Sequence, residues 1–389
     1  MNRYAAAAGV SLVASALASL WLALTESSLA LMDLRLWLGY GAAGFLAAGI
    51  GLEIIRTGPA TAPSRYVQVY LWSTVGGLAL LTIPEIGSLS LLHRLGWLGF
   101  LVGAADYAYL VWWRPTVLGK QPEAFGDVLT PGKLPRRSDP ARDAVARAMV
   151  AAGPAYLFLV AVAGVVSGHV LGARSELLML LGWLSSLTLG GALYVWPRLL
   201  AHPGGSKHLS RWGAVLWHAG LILSVIFLKP WLLGLTGLGG VMLLADLVPA
   251  LRGVLRARPY VVGSRRRYPQ VGARIGFGLA AALLLALAIA IIVPAGTLSM
   301  QHVLAVAFAV AANLTLLHHL RPAFGHQLLR ARGGWMPSVL AISTIGLGPF
   351  PQAFAAVAAA ASLYLAASWL PGLSLAPHKQ EDRRTRRPG

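Results

Sequence analysis

Runs of about twenty apolar residues recur along the whole chain, and that recurrence limits the fold class before any other feature is weighed. At 1.5 Å of rise per residue, roughly twenty apolar residues in a helix cross a ~30 Å hydrocarbon core. Such runs lie near 5–25, 36–55, 66–83, 95–113, 146–167, 176–197, 212–228, 230–250, 272–293, 301–320, 335–350 and 352–370. They predict an all-α membrane protein with about twelve transmembrane helices. The stretches between the runs are too short to clothe a soluble core, and only 12% of the 389 residues are charged, where soluble domains hold about a quarter. The first run follows a short basic start at Arg3. Its length, and the runs behind it, read as a retained first helix rather than a cleaved signal.

Charge tests the count independently. If the N-terminus is cytoplasmic, inner loops should collect Lys and Arg. The outer segments then hold only Arg35, Arg94, Arg174 and Lys229, and the other 28 of the 32 basic residues fall inside. Arg136, Arg137, Arg265–Arg267 and the tail arginines Arg383, Arg384, Arg386 and Arg387 are among them. A false or missing span would invert the alternation, and no inversion occurs. The net charge of +19 is therefore a topology signal with attraction to anionic lipid headgroups, not a nucleic-acid footprint. The organisation read from this is a single transmembrane domain over 1–372, with a cytoplasmic linker at about 114–143. A disordered basic cytoplasmic tail follows over 373–389. The expected location is a bacterial-type inner membrane, with both termini cytoplasmic.

Three of the runs align without gaps: DLRLWLGYGAAGFLAAGIG from Asp33, ELLMLLGWLSSLTLGGALY from Glu176 and QHVLAVAFAVAANLTLLHH from Gln301. Each opens on Asp, Glu or Gln, and seven residues later carries Tyr40, Trp183 or Phe308. A weaker echo links AADYAYL around Asp106 with LADLVPAL around Asp246. Because the strings belong to every fourth run, they predict three pseudo-repeated four-helix arcs, whereas transporters usually repeat in two halves.

Segment 176–225 carries a family resemblance through Leu181–Gly182–Trp183, Leu193–Tyr194, Pro197–Arg198 and Trp217–His218. It resembles the catalytic subunit of the haem–copper oxidases, particularly the C-family branch, and the related NnrS membrane proteins. The string from Gln301 resembles the NnrS helix that opens with a ligand-type histidine. The resemblance implies twelve helices in three four-helix arcs, haem b or copper as cofactor, and respiratory-chain subunits as partners beside the lipid bilayer. One departure is definite. The oxidase His-x-His pair falls on Ser175 and Leu177 here, so the family's oxygen-reducing binuclear centre is not assembled in the usual way.

The chain has no cysteine, which excludes thiolate metal sites, disulfides and c-type haem attachment. Histidine is the remaining strong nitrogen ligand. By the topology above His93, His169 and His302 lie near outer span ends, and His302 stands where the resembled families place a ligand. The expectation is that His302, with His93 or His169, holds haem b or copper near the outer face. An interfacial histidine bonded to a loop carbonyl is the competing reading. Mid-span His218, beside Trp217, reads as either a cofactor ligand or a hydrogen-bonded packing histidine. Asp106 and Asp246 are carboxylates within spans, where a charge is costly unless paired, hydrated or protonated. Proton relay, ion binding and helix–helix bonding all remain open for them, with Arg252 or Arg256 as partners for Asp246 and Tyr107 or Tyr109 for Asp106. Glu53, Glu85, Asp33 and Glu176 sit at span ends and are expected to be hydrated there. The functional expectation is a haem- or copper-associated membrane protein linked to respiration or the nitric-oxide response. Its alternatives are a cofactor-free oxidase-like assembly subunit and a small-solute transporter.

Overall fold

The computed structural model describes residues 2–25, 33–55, 64–83, 90–113, 140–167, 173–199, 205–227, 229–255, 260–262, 265–267, 271–293, 298–320, 334–347 and 349–369. Every apolar run predicted from the sequence is helical among them. The first four helices are α1 (Asn2–Thr25), α2 (Leu36–Ala43 continuing into Gly44–Ile55), α3 (Ser64–Leu81) and α4 (Ser90–Ala108, extended by Tyr109–Trp113). Then come α5 (Pro140–Ser167), α6 (Ala173–Leu177, Leu178–Ser185 and Ser186–Leu199), α7 (Lys207–Phe227) and α8 (Leu233–Leu255). The last four are α9 (Val271–Ile292), α10 (Leu298–Leu320), α11 (Met336–Gly346) and α12 (Pro351–Trp369). One two-stranded antiparallel ribbon, β1 (Tyr260–Val262) and β2 (Arg265–Arg267), stands between α8 and α9, with Val261 opposite Arg266.

The chain is a multi-span helical membrane bundle. Among the described residues eight helices, α1 and α4 to α10, are long and apolar enough to cross a membrane, while α3, α11 and α12 contribute shorter apolar stretches. The tail 373–389, His169 and the linker as far as 139 lie outside the described residues. The helix α5 starts before its apolar run, at Pro140 with Asp143 in the first turn. Proline at the first helical position and an acid in the first turn are both start signals, so residues 140–143 belong to the helix rather than to the linker.

Neighbour relations follow the chain. The helices α3, α4 and α5 pack in succession, as do α7, α8 and α9, and α11, α12 and α1 do the same. At the joins between these sets α5 touches α7, α9 touches α11, and α1 touches α3. The remaining helices, α2, α6 and α10, touch one another inside. Nearly all of Ser175–Pro197 and Met300–Leu317 is buried, as is every residue of Leu36–Ala43. These three are the helices whose sequences align.

Two of the three inner helices are π-helical at nearly the same register, Leu36–Ala43 and Leu178–Ser185. Counted from Asp33 and Glu176, the segments differ by one residue. Neighbours explain the wider turn in α6. The indole Nε1 of Trp217 on α7 donates to the Leu181 carbonyl at 3.1 Å and to Ser186 Oγ at 3.2 Å, and Ser186 Oγ donates to the same carbonyl at 3.1 Å. A carbonyl engaged from outside no longer needs its i+4 amide. In α2, Gly44 N–H reaches back to the Gly39 carbonyl, and a Cβ on Gly44 would run into the Trp183 ring. Tyr40 and Trp183, equivalent in the aligned strings, meet with ring centroids 6.1 Å apart.

Gly44→Val is expected to destabilise the bundle by about 1–3 kcal/mol, because a packed core resists added volume. Gly278→Ala, where nothing lies within 4 Å of the new Cβ, is expected to be neutral or mildly stabilising. Thermal unfolding of the purified protein in detergent, followed by circular dichroism, reads both.

Candidate functional site

The first turns of α6 and α10 bring one carboxylate to one imidazole. His302 Nδ1 is hydrogen-bonded to Glu176 Oε1. A neutral imidazole that donates from Nδ1 to a carboxylate keeps its lone pair on Nε2. That Nε2 is buried and has no hydrogen-bond partner among the described residues. Glu176 also stands within electrostatic reach of the Arg35 guanidinium and the Tyr40 phenol on α2. The hydroxyl of Tyr40 and the indole N–H of Trp183 are likewise buried without partners among the described residues. Beside His302, Gln301 Nε2 donates to the Ala290 carbonyl of α9 at 3.2 Å, tying the start of α10 to its outer neighbour.

Further along the same helices, Asn313 Nδ2 donates to Thr188 Oγ1 at 2.9 Å, and Thr188 Oγ1 donates to the Leu184 carbonyl at 2.8 Å. This bond links α10 to α6 below the imidazole. Interhelical bonds of this kind contribute roughly 0.6 kcal/mol each within a bilayer.

The other sequence-predicted residues are placed differently. The Nε2 of His93 lies 2.9 Å from the Ile83 carbonyl, which is the loop-carbonyl arrangement weighed against a ligand role. It sits on α4, an outer helix whose main neighbours are α3 and α5. His218 Nδ1 lies 2.9 Å from the Tyr156 hydroxyl of α5, with the ring planes nearly parallel at 14°. Its Nε2 is buried without a partner among the described residues. Among the described residues no group of three or more His, Cys, Asp or Glu side chains could hold a metal ion.

Of the two carboxylates within spans, Asp246 is fully buried and receives a bidentate guanidinium from Arg142, at 2.8 Å to each oxygen. The same arginine donates to the Gly205 carbonyl at 3.2 Å, and Gly205 N–H donates to the Asp246 carbonyl at 2.8 Å. This clamp joins α5, α8 and the approach to α7. This partner comes from a helix 104 positions earlier, while Arg256, one of the two arginines expected to pair with Asp246, lies outside the described residues. For Asp106, Oδ2 is buried without a partner among the described residues. Tyr107 does not serve it, because its hydroxyl donates to the Ala48 carbonyl at 3.1 Å.

Glu176 and Asp33 correct the expectation of span-end hydration. Asp33 is buried, and Glu176 is engaged by an imidazole. The aligned strings held the signal for this. Asp33, Glu176 and Gln301 are equivalent positions, and His302 follows the last of them.

No protein-family model, curated protein or solved structure matches this chain.

Removing one partner of the buried clamp, by Asp246→Asn or Arg142→Ala, is expected to cost about 3–5 kcal/mol, since it strands a buried polar group. The double variant Arg142→Met with Asp246→Leu is expected to recover most of that loss. Unfolding midpoints in detergent, compared across the four proteins, check both statements.

Proposed function

We propose that this chain is a twelve-span protein of a bacterial-type inner membrane, with cytoplasmic termini, that holds a haem b through His302 in the manner of NnrS-like and oxidase-like proteins. Its arcs are α2–α5, α6–α9, and α10–α12 completed by α1. Support for the arcs comes from the neighbour relations and from the two π segments at nearly equal register. The single observation behind the cofactor is His302, whose Nδ1 is fixed by Glu176 while Nε2 is buried and free of hydrogen-bond partners among the described residues.

The donor set fits a haem through one imidazole. Copper, which draws two or three imidazoles to one place, is the alternative cofactor, and among the described residues no group of three or more His, Cys, Asp or Glu side chains gathers to hold a metal ion. A haem held by His302 would supply one-electron exchange and the binding of a small ligand. The chain's own residues do the rest. Glu176 keeps the His302 tautomer and ring orientation, and makes Nε2 a stronger donor. Arg35 offsets the carboxylate's charge. Packing of α2, α6 and α10 keeps water from the imidazole.

A second reading, a cofactor-free scaffold subunit that assembles with respiratory-chain proteins, is favoured by His93 and His218. Both bond a ring nitrogen to an uncharged group of the protein, a carbonyl or a phenol, where His302 meets a carboxylate.

A reduced-minus-oxidised spectrum with metal analysis of the detergent-purified protein separates the two. The haem reading expects a b-type band that His302→Ala abolishes and Glu176→Gln shifts in midpoint potential. Haem-free and copper-free wild-type protein overturns it, and co-purification with respiratory subunits then supports the scaffold. Topology has its own test, because a chain without cysteine gives single-cysteine variants no background. Cysteines at Ser138 and Gly172 are expected to react with impermeant maleimide from the cytoplasmic and outer sides, respectively.

A further inference from the structure

The helices α3 and α4 meet along a seam of glycines. A Cβ on Gly96 would lie 3.0 Å from the Gly77 carbonyl oxygen, and one on Gly99 would lie 2.7 Å from that of Ser73. One on Gly103 would strike the Thr74 hydroxyl. Positions 96, 99, 103 and 106 continue one stripe of a helix at spacings of three and four. Asp106 is thus the next residue of the seam, facing α3 near Tyr70, and it is the stripe's one ionisable side chain. Its carboxyl is half-buried and Oδ2 is sealed from the surface without a partner among the described residues. The flanking side chains Val69, Trp72, Val102 and Tyr109 are exposed on the bundle's outer, apolar face.

A backbone hydrogen bond at Tyr70 favours the ionised form, but burial opposes it more strongly, and the neighbouring side chains add no donor to Oδ2 among the described residues. The hydroxyls of Ser73 and Thr74 both donate to the Tyr70 carbonyl, at 3.2 and 2.7 Å, which leaves them with acceptor lone pairs but no hydrogen to offer. Tyr70 stacks on Tyr107 with centroids 5.1 Å apart, and the Tyr107 hydroxyl is bonded to Ala48 on α2. Tyr66 of α3 stacks against Tyr109. On the other flank, Trp112 Nε1 donates to the Ala151 carbonyl at 2.8 Å, which sets Tyr156 of α5 near the level of Asp106, and the Tyr156 hydroxyl meets His218. The charged residues at the start of α5, Arg142, Asp143 and Arg147, lie beyond Ala151, toward the end of α4. With one backbone hydrogen bond and no counter-charge among the described residues, an ionised carboxylate beside hydrocarbon is the costly state, and a protonated one, with a hydrogen to donate, is not.

We infer that Asp106 is a proton-binding site: a neutral carboxylic acid at the lipid-facing rim of the α3–α4 seam, which takes and gives its proton there. Asp246 is the contrast within the same chain, a carboxylate held ionised by a bidentate guanidinium and sealed from lipid. Asp106 lies on α4, apart from α6 and α10, so its proton is independent of whatever His302 holds.

Dicyclohexylcarbodiimide, a lipid-soluble reagent for protonated carboxyls, tests this on the full chain in membrane vesicles. The acid's proton passes to a carbodiimide nitrogen as the carboxylate oxygen bonds to the central carbon. An oxygen-to-nitrogen acyl shift then gives a stable N-acylurea, one reagent mass heavier. Peptide mass spectrometry at neutral pH is expected to find the adduct on Asp106 and not on Asp246. Its yield should fall as pH rises and the acid is lost, and Asp106→Asn should remove it. Infrared spectra give a second readout, in which wild type shows a protonated-carboxyl C=O band that Asp106→Asn lacks. Failure to find the adduct on Asp106 overturns access from the lipid, and identical infrared spectra overturn the neutral carboxyl.

Discussion

Inside a bilayer, helices gain no hydrophobic free energy by leaving lipid for one another, so the inner trio depends on how closely its backbones approach. Dispersion contacts and the few interhelical hydrogen bonds must supply the association. Small residues make that approach available. The run Gly39–Tyr40–Gly41–Ala42–Ala43–Gly44 lies wholly buried, and the gap left by Gly44 is filled by the ring of Trp183. A Cβ at Gly39 would already stand 3.0 Å from Val306 Cγ2 of α10. The aromatic groups at equivalent positions of the aligned strings therefore fill the core where the π segments widen it. This one constraint fixes the height at which Glu176 meets His302, since both lie about two turns from that aromatic layer, at the start of their helices.

Polar groups in such a core are held in two ways. The clamp of Arg142, Asp246 and Gly205 closes on itself, with both carboxylate oxygens and the neighbouring backbone engaged. Buried ion pairs are seldom strong sources of net stability, but they are specific about geometry, and this one fixes α5 against α8 across the boundary between successive helix sets. The trio of Glu176, His302 and Tyr40 is left open, with Nε2 of the imidazole and the phenol hydroxyl unbonded among the described residues. Orphaned polar atoms in a buried place are costly. Their grouping toward the starts of the inner helices is the support for the cofactor proposed at His302, which the closed clamp does not offer.

The sequence was most legible where physics acts along the chain. Apolar length located every helix, and Pro140 with Asp143 marked the start of α5 once the helix was seen. The aligned strings picked out α2, α6 and α10 as a class of their own, and the structure makes them the buried ones. Legibility failed where the partner comes from another helix. Nothing local to Leu178–Ser185 announces a π segment, and the indole that bonds its Leu181 carbonyl comes from Trp217 of α7. Asp246 has arginines close behind it in sequence, yet the described guanidinium arrives from Arg142. The roles of His93 and His218 depended on whether a carbonyl or a phenol lay opposite, which composition does not encode.

Glu176 shows how repeat alignment and site chemistry inform each other. Taken alone, an acid at the end of an apolar run belongs to the interface, where water satisfies it. As one of three equivalent positions on helices that converge, it belongs to the centre of the molecule, and its neighbours are the equivalents of its own neighbours: Arg35 two residues after Asp33, and His302 one residue after Gln301. Convergence is what turns three unremarkable helix starts into a cation, an anion and an imidazole within reach of one another. Helices whose sequences align concentrate side chains this way when they pack against one another. Residues that lie scattered over three span ends in a linear reading are then neighbours, and Glu176 and His302 are the pair that results.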